Sequence, residues 1–244
     1  MAYSGLYVIA SGAITLNNIE ASSNGLNGIQ LDNRVGTDLA KPVTVANSLF
    51  AGNIGDGASI LSDRAVTITS IRSTFSNTGV GIKIDNSSST VASLVTFLGT
   101  NLFTYNSENG VEIKSAGNVS IANTTTAYNS WNGLQIDTLG SVLLSKDRAE
   151  RNGTDGVYIK SANNQITLNG LTSMLNGFLG DWNGLQIDST TAKVYISNSN
   201  FVGNSAWGIM ADVINPISDV ILYNTNTYGN DLGSDFLEGN VYVY

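Results

Sequence analysis

A motif of glycine followed by an apolar, a variable and a second apolar residue recurs along this chain, and no constraint on its fold is stronger. It opens at Gly5, Gly28, Gly57, Gly81, Gly110, Gly133, Gly156, Gly184 and Gly208, at intervals of 23 to 29 residues. Gly28-Ile29-Gln30-Leu31, Gly110-Val111-Glu112-Ile113 and Gly133-Leu134-Gln135-Ile136 are representative. A second segment follows each one with the same period-two alternation, as in Val43-Thr44-Val45, Val66-Thr67-Ile68 and Ile166-Thr167-Leu168. A third, less regular segment places Phe50, Phe103 and Phe201 at equivalent positions. Alternation with period two describes a strand with one buried and one wet face. No stretch carries a 3.6-residue apolar period long enough for a helical crossover, so a βαβ arrangement is excluded.

An asparagine ends every unit: Asn24, Asn53, Asn77, Asn106, Asn129, Asn152, Asn176, Asn204 and Asn230. A partial second column, Asn18, Asn47, Asn123, Asn198 and Asn224, falls between the second and third segments. Three short strands in about 24 residues cannot close a core alone, whereas stacked units share one interior. Like residues would then repeat about 4.8 Å apart, and each asparagine amide could donate to the carbonyl of the next. The expectation is about nine rungs of three short strands, forming one domain over residues 1–244.

Charge narrows the function. Nineteen acids against 11 bases leave a net charge of −8, the wrong sign for gripping phosphates, so no nucleic-acid partner is expected. Cysteine and histidine are absent, which removes disulfides, thiolate metal sites and the commonest general base. No apolar run approaches the ~18 residues of a membrane span, so no membrane insertion is expected, and no residue pattern calls for a metal or cofactor.

The repeated "GIQLD", "GVEIK" and "GLQID" strands, the "VTV" and "VSI" strands and the asparagine-marked turns resemble the parallel β-helix repeats of the pectate-lyase-like superfamily. The resemblance spans essentially the whole chain and implies an all-β fold, a right-handed, single-stranded parallel β-helix. It implies little about function, because that fold carries lyases, hydrolases, phage tailspikes, autotransporter passengers and adhesins. In the family's enzymes the active groove lies over the strand that corresponds to the glycine-initiated one. Their lyases bind calcium through clustered acids with Arg or Lys as base, and their hydrolases use several aspartates and often a histidine. Here Arg34, Arg64, Arg72, Arg148 and Arg151 all miss the outward column of that strand.

That column, four residues after each glycine, reads Ile9, Asp32, Leu61, Asp85, Lys114, Asp137, Lys160, Asp188 and Asp212. Alternating signs from Asp85 to Asp188 predict a ladder of exposed ion pairs. The catalytic alternative makes Asp188 and Asp212 a carboxylate dyad, flanked by Lys160 and Asp137. Trp131, Trp182 and Trp207 each stand one or two residues before a strand-opening glycine. With the outward Gln135, Tyr158 and Gln186 they are the candidate ligand contacts, since aromatic faces stack on sugar rings. An outward threonine column (Thr15, Thr44, Thr67, Thr96) is broken by Leu143, Tyr195 and Ile221 and reflects β-propensity. The Asp-Gly steps at Asp56 and Asp155 read as turns. The longest excursions, Asn33 to Lys41, Asn86 to Ser93 and Gly177 to Trp182, are too short to wall a deep pocket.

The leading expectation is a non-catalytic structural or adhesive β-helix of an extracellular or cell-surface protein, meeting a glycan or another surface protein along its face. The alternatives are a polysaccharide lyase or glycoside hydrolase, and a purely structural filament or sheath. A rung-like strand by Leu6 and the final Val241-Tyr242-Val243-Tyr244, with no polar capping unit, further predict a part of a longer surface protein, or a subunit that associates end to end.

Overall fold

The computed structural model describes residues 3–35, 41–89, 93–160, 162–189, 193–213, 219–238 and 240–244. They wind into a parallel β-helix built from three sheets, of ten, ten and nine strands, in which each strand pairs with its counterpart one turn away in the chain. The registers follow the sequence columns residue for residue. Leu134 to Asp137 lie beside Val157 to Lys160, and these beside Leu185 to Asp188. Beyond the rung that Gly208 opens, the stack continues with two more strands, Gly233–Leu237 and Asn240–Val243, the first of which puts Ser234 in the glycine column.

Alternation produces the core. Ile29 and Leu31, Ile82 and Ile84, and Leu185 and Ile187 are fully buried from the first sheet, and Val43, Val45, Ile166 and Leu168 from the second. In the third sheet the inward column runs Ala21, Phe50, Thr74, Phe103, Thr126, Ala149, Ser173 and Phe201. The three phenylalanines are separated by one or more smaller side chains along it, which fills the interior without overpacking. Phe103 also meets Phe97 of the second sheet at 6.0 Å and 59°, a tilted aromatic pair.

The glycine column is explained by close approach rather than by backbone angle. A Cβ on Gly57 would stand 2.5 Å from the Gly81 carbonyl oxygen, and one on Gly133 2.6 Å from that of Gly156. Those oxygens are held in place because the N–H of Ala58 donates to Gly81 and that of Leu134 to Gly156, each at 3.1 Å. Any side chain here would push successive rungs apart.

The asparagine column is a continuous ladder. From Asn24 to Asn230 each Nδ2 donates to the Oδ1 of the next asparagine at 2.8–3.0 Å. In the interior of the ladder all the polar capacity of the amide is used. The Oδ1 of Asn129 also accepts the Asn106 backbone N–H at 3.1 Å, and its Nδ2 donates to the Phe103 carbonyl at 3.1 Å. Each of these asparagines follows a residue held in the left-handed region, among them Tyr105, Tyr128, Arg151 and Leu175. The partial column Asn18, Asn47, Asn123, Asn198 and Asn224 is left-handed as well, with φ between 46° and 58°, a conformation asparagine tolerates better than most residues.

A second ladder, not anticipated from the sequence, occupies the position just before the glycines. Asn27 Oδ1 accepts the Asp56 N–H, Asp56 Oδ1 the Val80 N–H, Asn109 Oδ1 the Asn132 N–H, and Asn132 Oδ1 the Asp155 N–H. Asp155 Oδ1 then accepts the Asn183 N–H at 2.7 Å, and Asn183 Oδ1 the Trp207 N–H. Asp56 and Asp155 are thus turn residues with a structural partner one rung away. Burial pushes the Asp155 carboxyl up to about 6 against the stabilising hydrogen bonds of Asn183. It pushes Asp147 up to about 7, although Thr124 and Ser145 donate backbone N–H groups to its two oxygens.

These ladders yield two predictions. Asn129→Ala strands the two donors of Asn106 that its Oδ1 accepts and takes one donor each from the Asn152 Oδ1 and the Phe103 carbonyl, and should destabilise the fold by about 3 kcal/mol or more, read by chemical denaturation. For Asp155 the native state holds a proton that the unfolded chain has already released between the ordinary value of 3.8 and about 6, so stability is lost as pH rises through that window. Asparagine is native to this column on both neighbouring rungs. Asp155→Asn should therefore raise stability by roughly 1–3 kcal/mol at pH 7.5 and have little effect near pH 4 in melting scans.

Candidate functional site

Two residues before the strand-opening glycine, the turn points its side chain outward. Trp131, Thr154 and Trp182 hold this place on three successive rungs, so the two indoles are separated along the axis by two strand spacings, roughly 9.6 Å. They flank an open cleft of about 360 Å³ lined by Trp131, Asn132, Thr154, Asp155, Tyr158, Trp182 and Gln186. Trp131 is 49% exposed and Trp182 40%.

The excursion from Gly177 to Trp182 raises one wall of this cleft. Leu179 N–H donates to the Gly153 carbonyl, while Ser205 Oγ donates to the Gly177 carbonyl at 2.9 Å and accepts the Trp182 N–H at 3.2 Å. Phe178 and Leu179 stay largely exposed on its crest. The site is shallow and open, in keeping with the short excursions of the sequence. The other two predicted excursions fall partly outside the described residues, at 36–40 and 90–92.

Trp207 is not part of it. Standing one residue before its glycine, it enters the strand Trp207–Val213 and packs its half-buried ring on Phe236 at 5.9 Å and 43°. Phe236 stands in the same outward column as Tyr158, Gln186 and Met210, so Trp207 lies further along the same face, over the last rung, and outside the lining of the cleft.

The cleft floor is a hydrogen-bonded row across the first sheet. Tyr158 hydroxyl donates to Asp188 Oδ2 at 2.8 Å, and Gln186 Nε2 donates to Asp188 Oδ1 at 3.2 Å. Asn183 Nδ2 donates in turn to Gln186 Oε1 at 3.2 Å. On the next rung over, Thr154 Oγ1 donates to Asn132 Oδ1 at 2.6 Å, and Asn132 Nδ2 donates to Gln135 Oε1 at 3.1 Å. Gln135 also accepts from Asn109, and it stands beside the cleft rather than in its lining. Burial and the adjacent Asp188 carboxylate raise the Tyr158 phenol well above its usual range, so it keeps its proton at neutral pH.

Asp137, Lys160, Asp188 and Asp212 are adjacent in register, as the column requires. The expected ion-pair ladder is not formed. Among the described residues, the cross-strand ion pair of the first sheet is Lys83 with Glu112 at 3.2 Å, two positions earlier along the strand. Lys114 and Lys160 extend into solvent, where water screens them and a fixed partner would cost side-chain entropy. Asp188 is the neighbour of Asp212 on the sheet, but its carboxylate is engaged by Tyr158 and Gln186. The Tyr158–Asp188 contact was missed by the sequence reading, which ranked outward residues by charge column. The two belong to different columns, and the phenol reaches diagonally across one rung.

Comparison with solved structures finds the same architecture. The A-module of the Azotobacter vinelandii mannuronan C-5 epimerase AlgE4 superposes with a TM-score of 0.62 at 15% identity, over 95% of this chain and 58% of that one. The A-module of the Azotobacter vinelandii mannuronan C-5 epimerase AlgE6 gives 0.62 at 13% identity, over 99% and 82%. The chain therefore spans little more than half the length of the AlgE4 A-module, and the likeness is one of fold. No curated protein matches it in sequence. Residues 67–230, two thirds of the chain and most of the rungs described above, match the pattern of the right-handed β-helix region, and the protein belongs to that family.

Proposed function

We propose that this protein is a non-catalytic, adhesive β-helix of the cell surface or extracellular space that binds a glycan in the Trp131–Trp182 cleft. One observation carries the reading: two half-exposed indoles flank a polar floor on a rigid sheet. Exposed tryptophans cost solvation, and sugar rings offer the apolar faces that cover them while their hydroxyls meet the floor. The fold supports the same direction, since solved structures of like architecture are modules of enzymes named for the polysaccharide mannuronan. The shallow cleft and the absence of histidine favour holding a glycan over transforming it.

The Tyr158–Asp188 pair supports a second reading, a polysaccharide-modifying enzyme in which the phenol serves as proton donor beside a bound sugar. Titration of tryptophan emission with a panel of neutral and acidic oligosaccharides, followed by product analysis, separates the two. Binding without turnover is expected. Trp131→Ala and Trp182→Ala should each weaken it roughly fivefold to tenfold, and Trp207→Phe should leave it unchanged. Turnover abolished by Asp188→Asn would replace the binding reading with the enzymatic one.

A further inference from the structure

The hydrogen-bond directions inside the cleft say more about its ligand than its shape does. Each hydroxyl of the lining already donates to the protein: Tyr158 to Asp188 and Thr154 to Asn132. The amide nitrogens are likewise aimed at protein acceptors, Gln186 Nε2 at Asp188 and Asn132 Nδ2 at Gln135. What remains for an incoming molecule is acceptor capacity on the Tyr158 and Thr154 oxygens and on the Asp188 carboxylate beside the lining, together with donor capacity on the Trp131 and Trp182 indole N–H groups. No lysine or arginine lines the cleft, and the chain as a whole carries −8.

From this arrangement we infer that the cleft is specific for a non-anionic glycan, one that brings hydroxyl donors and no carboxylate or sulfate. The inference rests on the glycan-binding reading and assigns the ligand's charge. A uronate residue would bring its negative charge to the Asp155 and Asp188 carboxyls, with the exposed ammonium of Lys160, beside Asp188 on the sheet, to set against them. A neutral hexose or N-acetylhexosamine donates through its hydroxyls while its apolar ring face lies on an indole. The solved neighbours are named for mannuronan, a polymer of uronic acid, so the same architecture would here serve a ligand of different charge. The raised Tyr158 phenol agrees with this assignment, because it remains a neutral, proton-bearing group throughout the physiological range.

The test compares neutral hexose and N-acetylhexosamine oligosaccharides with uronate oligosaccharides of matched length, by calorimetry and tryptophan emission at low salt. Some neutral oligosaccharide should bind, and every uronate should bind at least roughly tenfold more weakly than the best neutral one. Asp188→Asn, checked for native fold by its circular dichroism, should narrow that gap by strengthening uronate binding. Uronates that bind as tightly as neutral sugars, or a gap unmoved by Asp188→Asn, overturn the charge assignment alone. No binding by either set, or binding that survives the Trp131→Ala, Trp182→Ala double variant, overturns the glycan-binding reading and the assignment with it.

Discussion

Close contact between one rung's backbone and the next, at the turn that opens each first-sheet strand, governs the rest of this structure. At Gly57 or Gly133 the following rung's carbonyl lies where a Cβ would be, so the stack tolerates no side chain at that corner. Once the corner is closed, the strands that leave it share a register, and every column of the sequence becomes a row in space. The two ladders are consequences of that register. One spends both polar atoms of each asparagine, and the other satisfies backbone N–H groups in the turn with Asn or Asp oxygens. Buried turns would otherwise carry unmet donors, each costly in a dry interior.

The same regularity gives the cleft its character. A rung that matches its neighbours offers only a flat sheet, and relief comes where one rung departs from the pattern. The departure is the longer turn between Gly177 and Trp182, pinned by Ser205, which lifts an aromatic wall opposite Trp131. The floor between them is the ordinary outward face of the first sheet, with Tyr158 and Gln186 held by Asp188. The site is therefore preorganised by the scaffold, and the small excursion supplies its only added part.

Asp155 links the two levels. It belongs to the turn ladder and also lines the cleft, and its buried carboxyl carries an electrostatic cost that asparagine at the same place on neighbouring rungs avoids. A residue with a structural partner on one side and a candidate ligand on the other is where stability and binding are most directly coupled.

The repeat, the register and the asparagine ladder were legible in the amino-acid order, because a parallel stack turns sequence period into spatial neighbourhood. Phe50, Phe103 and Phe201 share an inward column as their positions implied, and Asn106, Asn129 and Asn152 form one row. The turn ladder at Asn109, Asn132, Asp155 and Asn183 was equally periodic, and was overlooked because its members differ in charge. Side-chain direction was not legible at this level. Trp182 and Trp207 are alike on paper, yet a one-residue offset sends one to the cleft and the other onto Phe236. The charged column suggested pairs that solvent and side-chain entropy leave open, while Tyr158 reaches diagonally to Asp188. Sequence by itself determined which residues are neighbours, since that follows from period alone. The tertiary structure decided which of those neighbours touch, because contact depends on rotamers, on turn geometry and on the water each group gives up.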